Sequence, residues 1–482
     1  MKVRNKKTIS KIAILILTLY VVLAISLNII LNSGDEIWNF QNVYKIYNGF
    51  KIYQDANVIV MPLFFWIATG IFKIFGANLF VFRVIHSINI LFIIVFIYKL
   101  MDYLKIPRNV NILTILYLMI QQNFAFIRTE CNYNNLVILI VLIGIYNIFK
   151  RREKIFLQSI ITILIFLTKQ NIGIYYFIGY LIYQIIDDKE KKKRNIFCYI
   201  CGTILGILIF GLGMLLKGNL KECIEYTFGG ITQFASENLL YSSTDILMFI
   251  FLVILNIILS VFFIKDQNIN CEIKNNIKIL ISISIPVSLM AYPIFNDTHI
   301  IEASLLIYIS IIFMLYNMFK EFKDIIIKVC KIVNSILITI VLIYSTICAY
   351  NWMGTISKDY PYHWQDPFFG SVIDKKQYAE YQEVIEFMKK TDKNVIILSN
   401  RAALYMIPLQ RSNGFFDLIF KGNIGKMKDE QINKEIDNMY NVLFLIYNNE
   451  SKQYYQEMNT IKEHVNNTRK KIGDIQNFSI YE

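Results

Sequence analysis

Seven scattered cysteines in 482 residues suggest neither a disulfide framework nor a metal cluster, and they make no even extracellular set. The chain has no GxGxxG and no P-loop, so nothing supports nucleotide binding. It also has no internal repeat and no low-complexity linker. Charge is sparse. Only 18% of residues are charged, against 55% hydrophobic and 15% aromatic, and the mean hydropathy is +0.46. A soluble protein of this length does not have that balance. The longest apolar runs carry almost no charge at mid-depth, which argues against a proton relay or an ion pathway.

Long apolar runs are what the chain has in abundance. "IAILILTLYVVLAISLNIIL" and "ILMFIFLVILNIILSVFFI" are each long enough for a hydrocarbon core that needs about 20 helical residues. The first lacks a small-residue cleavage site and is followed by many more, so it reads as a retained helix and not a signal peptide. Spans are expected at 10–31, 79–98, 109–127, 135–149, 155–168, 171–186, 195–216, 244–264, 277–294, 300–319 and 332–350. The segment "PLFFWIATGIFKIFG" at 62–76 is apolar but short, and counting it as a span would reverse every later loop.

Charge placement settles that parity. With 62–76 lying in the interface, the loops and helix ends on the N-terminal side carry 24 Lys and Arg, and the opposite side carries 8. Such asymmetry places the N-terminus in the cytoplasm. An odd number of spans then places the tail outside. From Trp352 onward the tail holds 17 Lys and Arg against 17 Asp and Glu, so the net charge of +13 lies wholly in the membrane half. That favours an anionic inner leaflet over nucleic acid as the partner of the positive charge.

Within the tail, "NVIILS" and "NVLFLIY" read as short buried strands and "KKQYAEYQEVIEFMKK" as an amphipathic helix. The expected architecture is an all-α polytopic membrane protein with about eleven transmembrane helices plus interfacial helices. It covers residues 1–350, with a first outer loop at 32–78, and a small C-terminal extracytoplasmic α/β domain follows at 351–482.

The functional signal is positional. Unusual polar residues gather at the outer ends of the spans: Asp35 and Glu36 after the first, Asp55 in the first outer loop, and Arg83 and His86 as the next begins. Further along come Arg128, Glu130 and Asn132 in "RTECNYNN", Lys169 and Gln170 in "TKQN", and Tyr292, Asp297, His299 and Glu302 in "YPIFNDTHIIEA". A polar cavity where the bilayer meets outer water accounts for this shared depth.

Each residue also has a plainer reading. Ser33 and Glu36 fit an S-x-x-E capping box, and Asp35 suits the positive end of a following helix, whose Ile37, Phe40, Tyr44 and Tyr47 share a face. Lys169 can snorkel to headgroups. Arg83 and Arg128 can be interfacial anchors, and His299 a helix-start residue without a role. Asp297 can be an N-cap, and Asp55 a turn residue. Segment 62–76 reads more simply as a packing helix than as a sugar platform.

The order of "GDE" after a first span, "YNGFKIYQD", "PLFFWIATGIFKIFG" and "FRVIHSINILFIIVFIYKL" resembles the N-terminal half of the GT-C membrane glycosyltransferases. The resemblance is nearest to bacterial relatives of the protein O-mannosyltransferases and of the lipid A aminoarabinose transferase. "FLTKQNIGIYYF" and "YPIFNDTHIIEA" are similar to motifs of the same group, so the likeness runs over roughly 10–320. One departure is a single proline, Pro62 in "VMPLFF", where the family's loop has two.

That resemblance implies transfer of a sugar from a polyprenyl-phosphate carrier to a lipid, glycan or protein acceptor of the cell envelope, at the outer face. The family's catalytic acid falls on Asp35, as general base. Lys169 and Arg128, with Arg83 and His299 behind them, are candidates to receive the phosphate. Glu36, Asp55, Glu130 and Asp297 could orient hydroxyls, and Tyr292 joins the binding set. Inversion at the anomeric carbon is expected by the same analogy. Some GT-C enzymes bind a divalent metal and others do not. No ligand spacing here decides the point, so neither metal nor cofactor is expected. The competing class is a transporter or flippase of lipid-linked saccharides. It predicts inverted repeats, broken helices and a midplane site, none of which the sequence displays.

Overall fold

The computed structural model describes residues 2–27, 35–128, 131–150, 154–186, 192–230, 232, 240–241, 243–292, 294–295, 297–359, 365–369, 371, 375–399, 401–417, 429–448 and 456–482. The long apolar runs become helices because a helix satisfies every backbone group internally. In chain order they are α1 (Lys2–Leu27), α2 (Asp35–Tyr47), α3 (Leu63–Phe75), α4 (Leu79–Tyr103), α5 (Arg108–Arg128), α6 (Tyr133–Lys150), α7 (Ile155–Thr168), α8 (Gln170–Ile186) and α9 (Lys192–Leu216). A short α10 (Leu220–Ile224) leads into a π-helical turn at Glu225–Gly230, and α11 (Ser243–Lys265), α12 (Cys271–Ser288), α13 (Asp297–Met318) and α14 (Lys323–Asp359) complete the bundle.

Among the described residues, seven of these helices are long and apolar enough to cross a membrane, and α3 is among the shorter apolar ones. Leu208 and Leu216 on α9, Leu247 and Phe251 on α11, and Ile332 and Ile343 on α14 point outward from the bundle. Helices apolar on all sides belong in lipid. This is a multi-pass membrane protein.

The bundle core is aliphatic, running from Ile25 of α1 through Ile93 of α4, Val137 of α6 and Ile283 of α12 to Ile307 of α13. Tyrosines join it where they find partners. Tyr176 donates to Gln158 Oε1 at 2.9 Å, and Tyr199 shares a 2.6 Å bond with Thr162. Gly144 lets α8 approach α6, since a Cβ there would meet the Tyr176 hydroxyl at 2.3 Å. All seven cysteines are free thiols; Cys198 and Cys201, with their Cys-x-x-Cys spacing, lie exposed on α9.

The tail forms α15 (Lys375–Lys390), β3 (Asn394–Leu398), α16 (Ala402–Met406), α17 (Asp429–Asp437), β4 (Val442–Tyr447), α18 (Gln456–Thr468), β5 (Lys471–Ile475) and β6 (Phe478–Tyr481), after a two-residue pair β1 (Leu240–Tyr241) and β2 (Ile294–Phe295) that ties two bundle loops together. The sheet order is β3-β4-β6-β5, with β3 and β4 parallel and the other neighbours antiparallel. Strand alternation divides its two faces. Leu443 and Leu445 pack towards α2 and α3, in one core with Val384 and Met388 of α15. Val442, Phe444 and Ile446 pack with Ile432 and Ile461 of α17 and α18.

The tail therefore sits on the first loop. Leu79 and Phe80 donate their N–H groups, which the helix α4 itself cannot satisfy, to the carbonyls of Pro367 and Phe369 at 2.8 Å each. Phe80 stacks on Trp352, with ring centroids 6.1 Å apart.

Candidate functional site

Helix α2 begins at Asp35, whose side chain lies outside the described set. Glu36 follows, and its carboxylate is clamped by Arg83 of α4: Nε to Oε1 at 2.9 Å and Nη2 to Oε2 at 2.8 Å. Both side chains are 1% exposed. This bidentate fork is the geometry that makes an Arg–carboxylate pair specific as well as strong. Arg83, buried on this carboxylate, is no headgroup anchor, and the capping-box reading of Ser33 and Glu36 falls on Ser33, which lies outside the described residues.

Three residues along α4, on the same side of the helix, His86 Nδ1 meets the Asn135 amide at 3.1 Å. Its neighbour Asn134 accepts from Lys169 Nζ at 2.8 Å. Both amides sit in the first turn of α6, which Asn132 caps by accepting the Asn134 N–H at 2.8 Å. Lys169 occupies the one-residue break between α7 and α8. It is buried, its ammonium lies 5.4 Å from the Tyr133 ring, and it stays within electrostatic reach of His299 near the start of α13. The buried position rules out snorkelling. Next to it, Gln170 donates to the carbonyls of Ile59 and Thr227 at 2.9 and 2.6 Å, pinning the first loop to the π-helical turn.

A continuous polar belt results, from Glu36 and Arg83 through His86, Asn135, Asn134 and Lys169 to His299. It crosses five segments at one end of the bundle, the end that carries α2, α3 and the tail. Cys131 lies inside it, within electrostatic reach of Glu36 and Arg83, and burial pushes its thiol well up.

Other expected residues fall differently. The Asp55 carboxylate accepts the Lys51 N–H at 2.8 Å, closing its own turn, and stays apart from the belt. Tyr292 is exposed and packs edge-on against Phe295. Arg128 ends α5 and Asp297 begins α13, but their side chains, and Glu130 altogether, lie outside the described residues. Among the described residues no three His, Cys, Asp or Glu side chains converge as metal ligands. Sequence reasoning passed over Tyr133, Asn134 and Asn135, although paired amides opening an apolar span are a signal of a kind. It also passed over Asp417, which is buried against Lys45 of α2.

Residues 60–217 match the family model described as dolichyl-phosphate-mannose-protein mannosyltransferase. Among solved structures, ArnT from Cupriavidus metallidurans bound to undecaprenyl phosphate superposes with a TM-score of 0.59 at 10% identity, covering 98% of either chain. The chain has the GT-C fold. The same ArnT in its apo state gives a TM-score of 0.51, also at 10% identity and 98% coverage of both chains. The Archaeoglobus fulgidus oligosaccharyltransferase, solved with Zn and sulfate, gives 0.52 at 10% identity over 92% of this chain and 69% of that one. No curated protein matches the sequence. Within the GT-C fold, the matched segment 60–217 covers α3 to α9 and so contains Arg83, His86, the two asparagines and Lys169.

Proposed function

We propose that this protein is a membrane glycosyltransferase that moves a sugar from a polyprenyl-phosphate donor to an acceptor at the extracytoplasmic face. The N-terminus is cytoplasmic, residues 1–350 form the catalytic domain and 351–482 an outer α/β domain. The observation that carries this reading is the polar belt at one end of a GT-C bundle, which holds the buried cation Lys169.

A lipid phosphate brings its own leaving group, so the protein must activate an acceptor and receive the departing charge. Asp35 takes the proton of an acceptor hydroxyl or amine, a role worth about 10²–10⁴ in rate. The acceptor heteroatom bonds to the anomeric carbon from the face opposite the phosphate. The carbon–oxygen bond to phosphate breaks, its electron pair stays on the phosphate, and the sugar inverts. Lys169 and Arg128 stabilise that phosphate electrostatically. Arg83 does not receive it directly, because Glu36 occupies its fork; it holds the helix that begins at Asp35. Glu130 and Asp297 orient hydroxyls of sugar or acceptor, Tyr292 joins the binding set, and His299 stands behind Lys169 for the phosphate.

Purified protein given a labelled polyprenyl-phosphate hexose and envelope lipid extract should release polyprenyl phosphate. Asp35→Asn should lose most of that turnover. Full turnover in the variant removes Asp35 from its role, and lipid movement without covalent transfer supports the transporter instead.

A further inference from the structure

Asp417 lies in the tail, 372 residues beyond Lys45, yet the two form a salt bridge in which both side chains are buried. The other Asp417 oxygen accepts from Gln41 Nε2 at 2.8 Å. Gln41 and Lys45 are four apart on α2, so one carboxylate grips two successive turns of a single helix face. Lys45 also donates to the Asp55 carbonyl at 3.1 Å, and Ser412 of the tail donates to that same carbonyl at 3.0 Å. Taking a carboxylate and an ammonium out of water is costly unless both are fully bonded. Here each carboxylate oxygen has a donor and the ammonium has two acceptors.

The tail has a second grip. Pro367 and Phe369 accept the first N–H groups of α4, one turn ahead of Arg83. It therefore holds both helices whose partnership forms the Glu36–Arg83 fork: α2 through Asp417, and α4 through its N-terminus. Beyond the fork, α2 meets α4 and α3 through apolar ring contacts, Phe40 with Phe82 and Phe72 at 5.6 and 5.8 Å between centroids. Such contacts are non-directional, and the Asp417 contact, about two turns beyond the fork, adds a directional polar hold on the same helix.

We infer that Asp417 is a positioning residue, and that the outer domain sets the angle between α2 and α4, thereby aiming the residue that opens α2, Asp35. The inference deepens the glycosyltransferase reading and rests on it for its catalytic half only.

The test compares the full-length protein with Asp417→Asn, with the charge swap Lys45→Asp/Asp417→Lys, and with the apolar pair Lys45→Met/Asp417→Leu. Hydrogen exchange is measured by peptide, and transfer kinetics are measured with a labelled polyprenyl-phosphate hexose. For Asp417→Asn the expected result is at least tenfold faster exchange confined to peptides of 35–47, with unchanged exchange in the bundle core. Turnover should fall at least tenfold, with KM for the donor within about threefold, and the charge swap should recover most of both. The apolar pair guards against misfolding: it should fold as well as wild type and exchange slowly at 35–47, since it refills the contact. Exchange at 35–47 that stays at the wild-type rate in Asp417→Asn overturns the inference, as does a matching rise throughout the bundle. If α2 loosens as expected while the wild-type protein transfers no sugar, the latch stands and the glycosyltransferase reading fails.

Discussion

Replacing Arg83 by methionine keeps an unbranched apolar stem but removes both arms of the fork on Glu36. The carboxylate, 1% exposed, then stays buried without its guanidinium partner. Breaking a buried pair in this way costs about 3–5 kcal/mol, whereas replacing both partners by apolar residues is often neutral. At about 1.4 kcal/mol per tenfold, the single change shifts the local opening equilibrium of α2 by roughly two to three and a half powers of ten. Hydrogen exchange of peptides from 35–47 and 79–90 reads that shift directly, because opening of one element is reported independently of the rest. Arg83→Met should exchange rapidly there. Glu36→Leu/Arg83→Met should return most of the protection, giving a coupling of several kcal/mol in the double-mutant cycle. Transfer activity should fall in the single variant, because the helix that begins at Asp35 is no longer anchored. Slow, wild-type exchange in Arg83→Met, or a double variant no better protected than the single, would refute the claim that this fork holds α2.

Lys169→Met should lower kcat/KM for the lipid donor by about 10²-fold or more, the usual loss when one charge-stabilising donor is removed; an unchanged value would take Lys169 out of phosphate recognition. Gln170→Leu leaves the buried carbonyls of Ile59 and Thr227 without their donor, at about 1–3 kcal/mol each. Limited proteolysis should then cut the first loop near 50–60 faster than in wild type. Gly173→Ala places a methyl 2.4 Å from the Phe166 Cα and 2.7 Å from its nitrogen, so α7 and α8 must separate at about 1–3 kcal/mol. The break that holds Lys169 lies between those helices, so thermal stability and donor KM should both worsen. Because burial raises its thiol pKa, Cys131 has less thiolate than a free cysteine at any given pH. It should therefore resist maleimide between pH 7 and 8 in the native protein and label once the chain is denatured.

The bundle was largely legible from sequence, because hydrocarbon imposes a simple demand on the backbone. The expected 155–168 span is α7 to the residue, and the segment set aside as interfacial at 62–76 is the separate helix α3. The 277–294 span starts earlier, at Cys271, because Asn270 caps it by accepting the Glu272 N–H at 2.7 Å, a polar start that hydropathy does not register. In the tail, the strands at Asn394 and Val442 and the helix at Lys375 stood out by pattern. The closing hairpin of β5 and β6 did not, since "KIGDIQNFSIYE" turns through Gln476 at positive φ without the Gly that usually marks such a turn. Pairing across the chain was the least legible part. That Arg83 would choose Glu36, that Asn134 would receive Lys169, and that Asp417 would cross 372 residues to Lys45 depend on how the helices stack, which one-dimensional spacing does not encode.

The most direct measurement is a structure of the full-length protein with polyprenyl phosphate in lipid nanodiscs. The account predicts phosphate density at the outer end of the bundle, within hydrogen-bonding distance (about 3 Å) of the Lys169 ammonium, with the Asp35 carboxylate open to the same cavity. Phosphate lodged at the bilayer midplane, or an Asp35 carboxylate turned towards the cytoplasmic side, would contradict it.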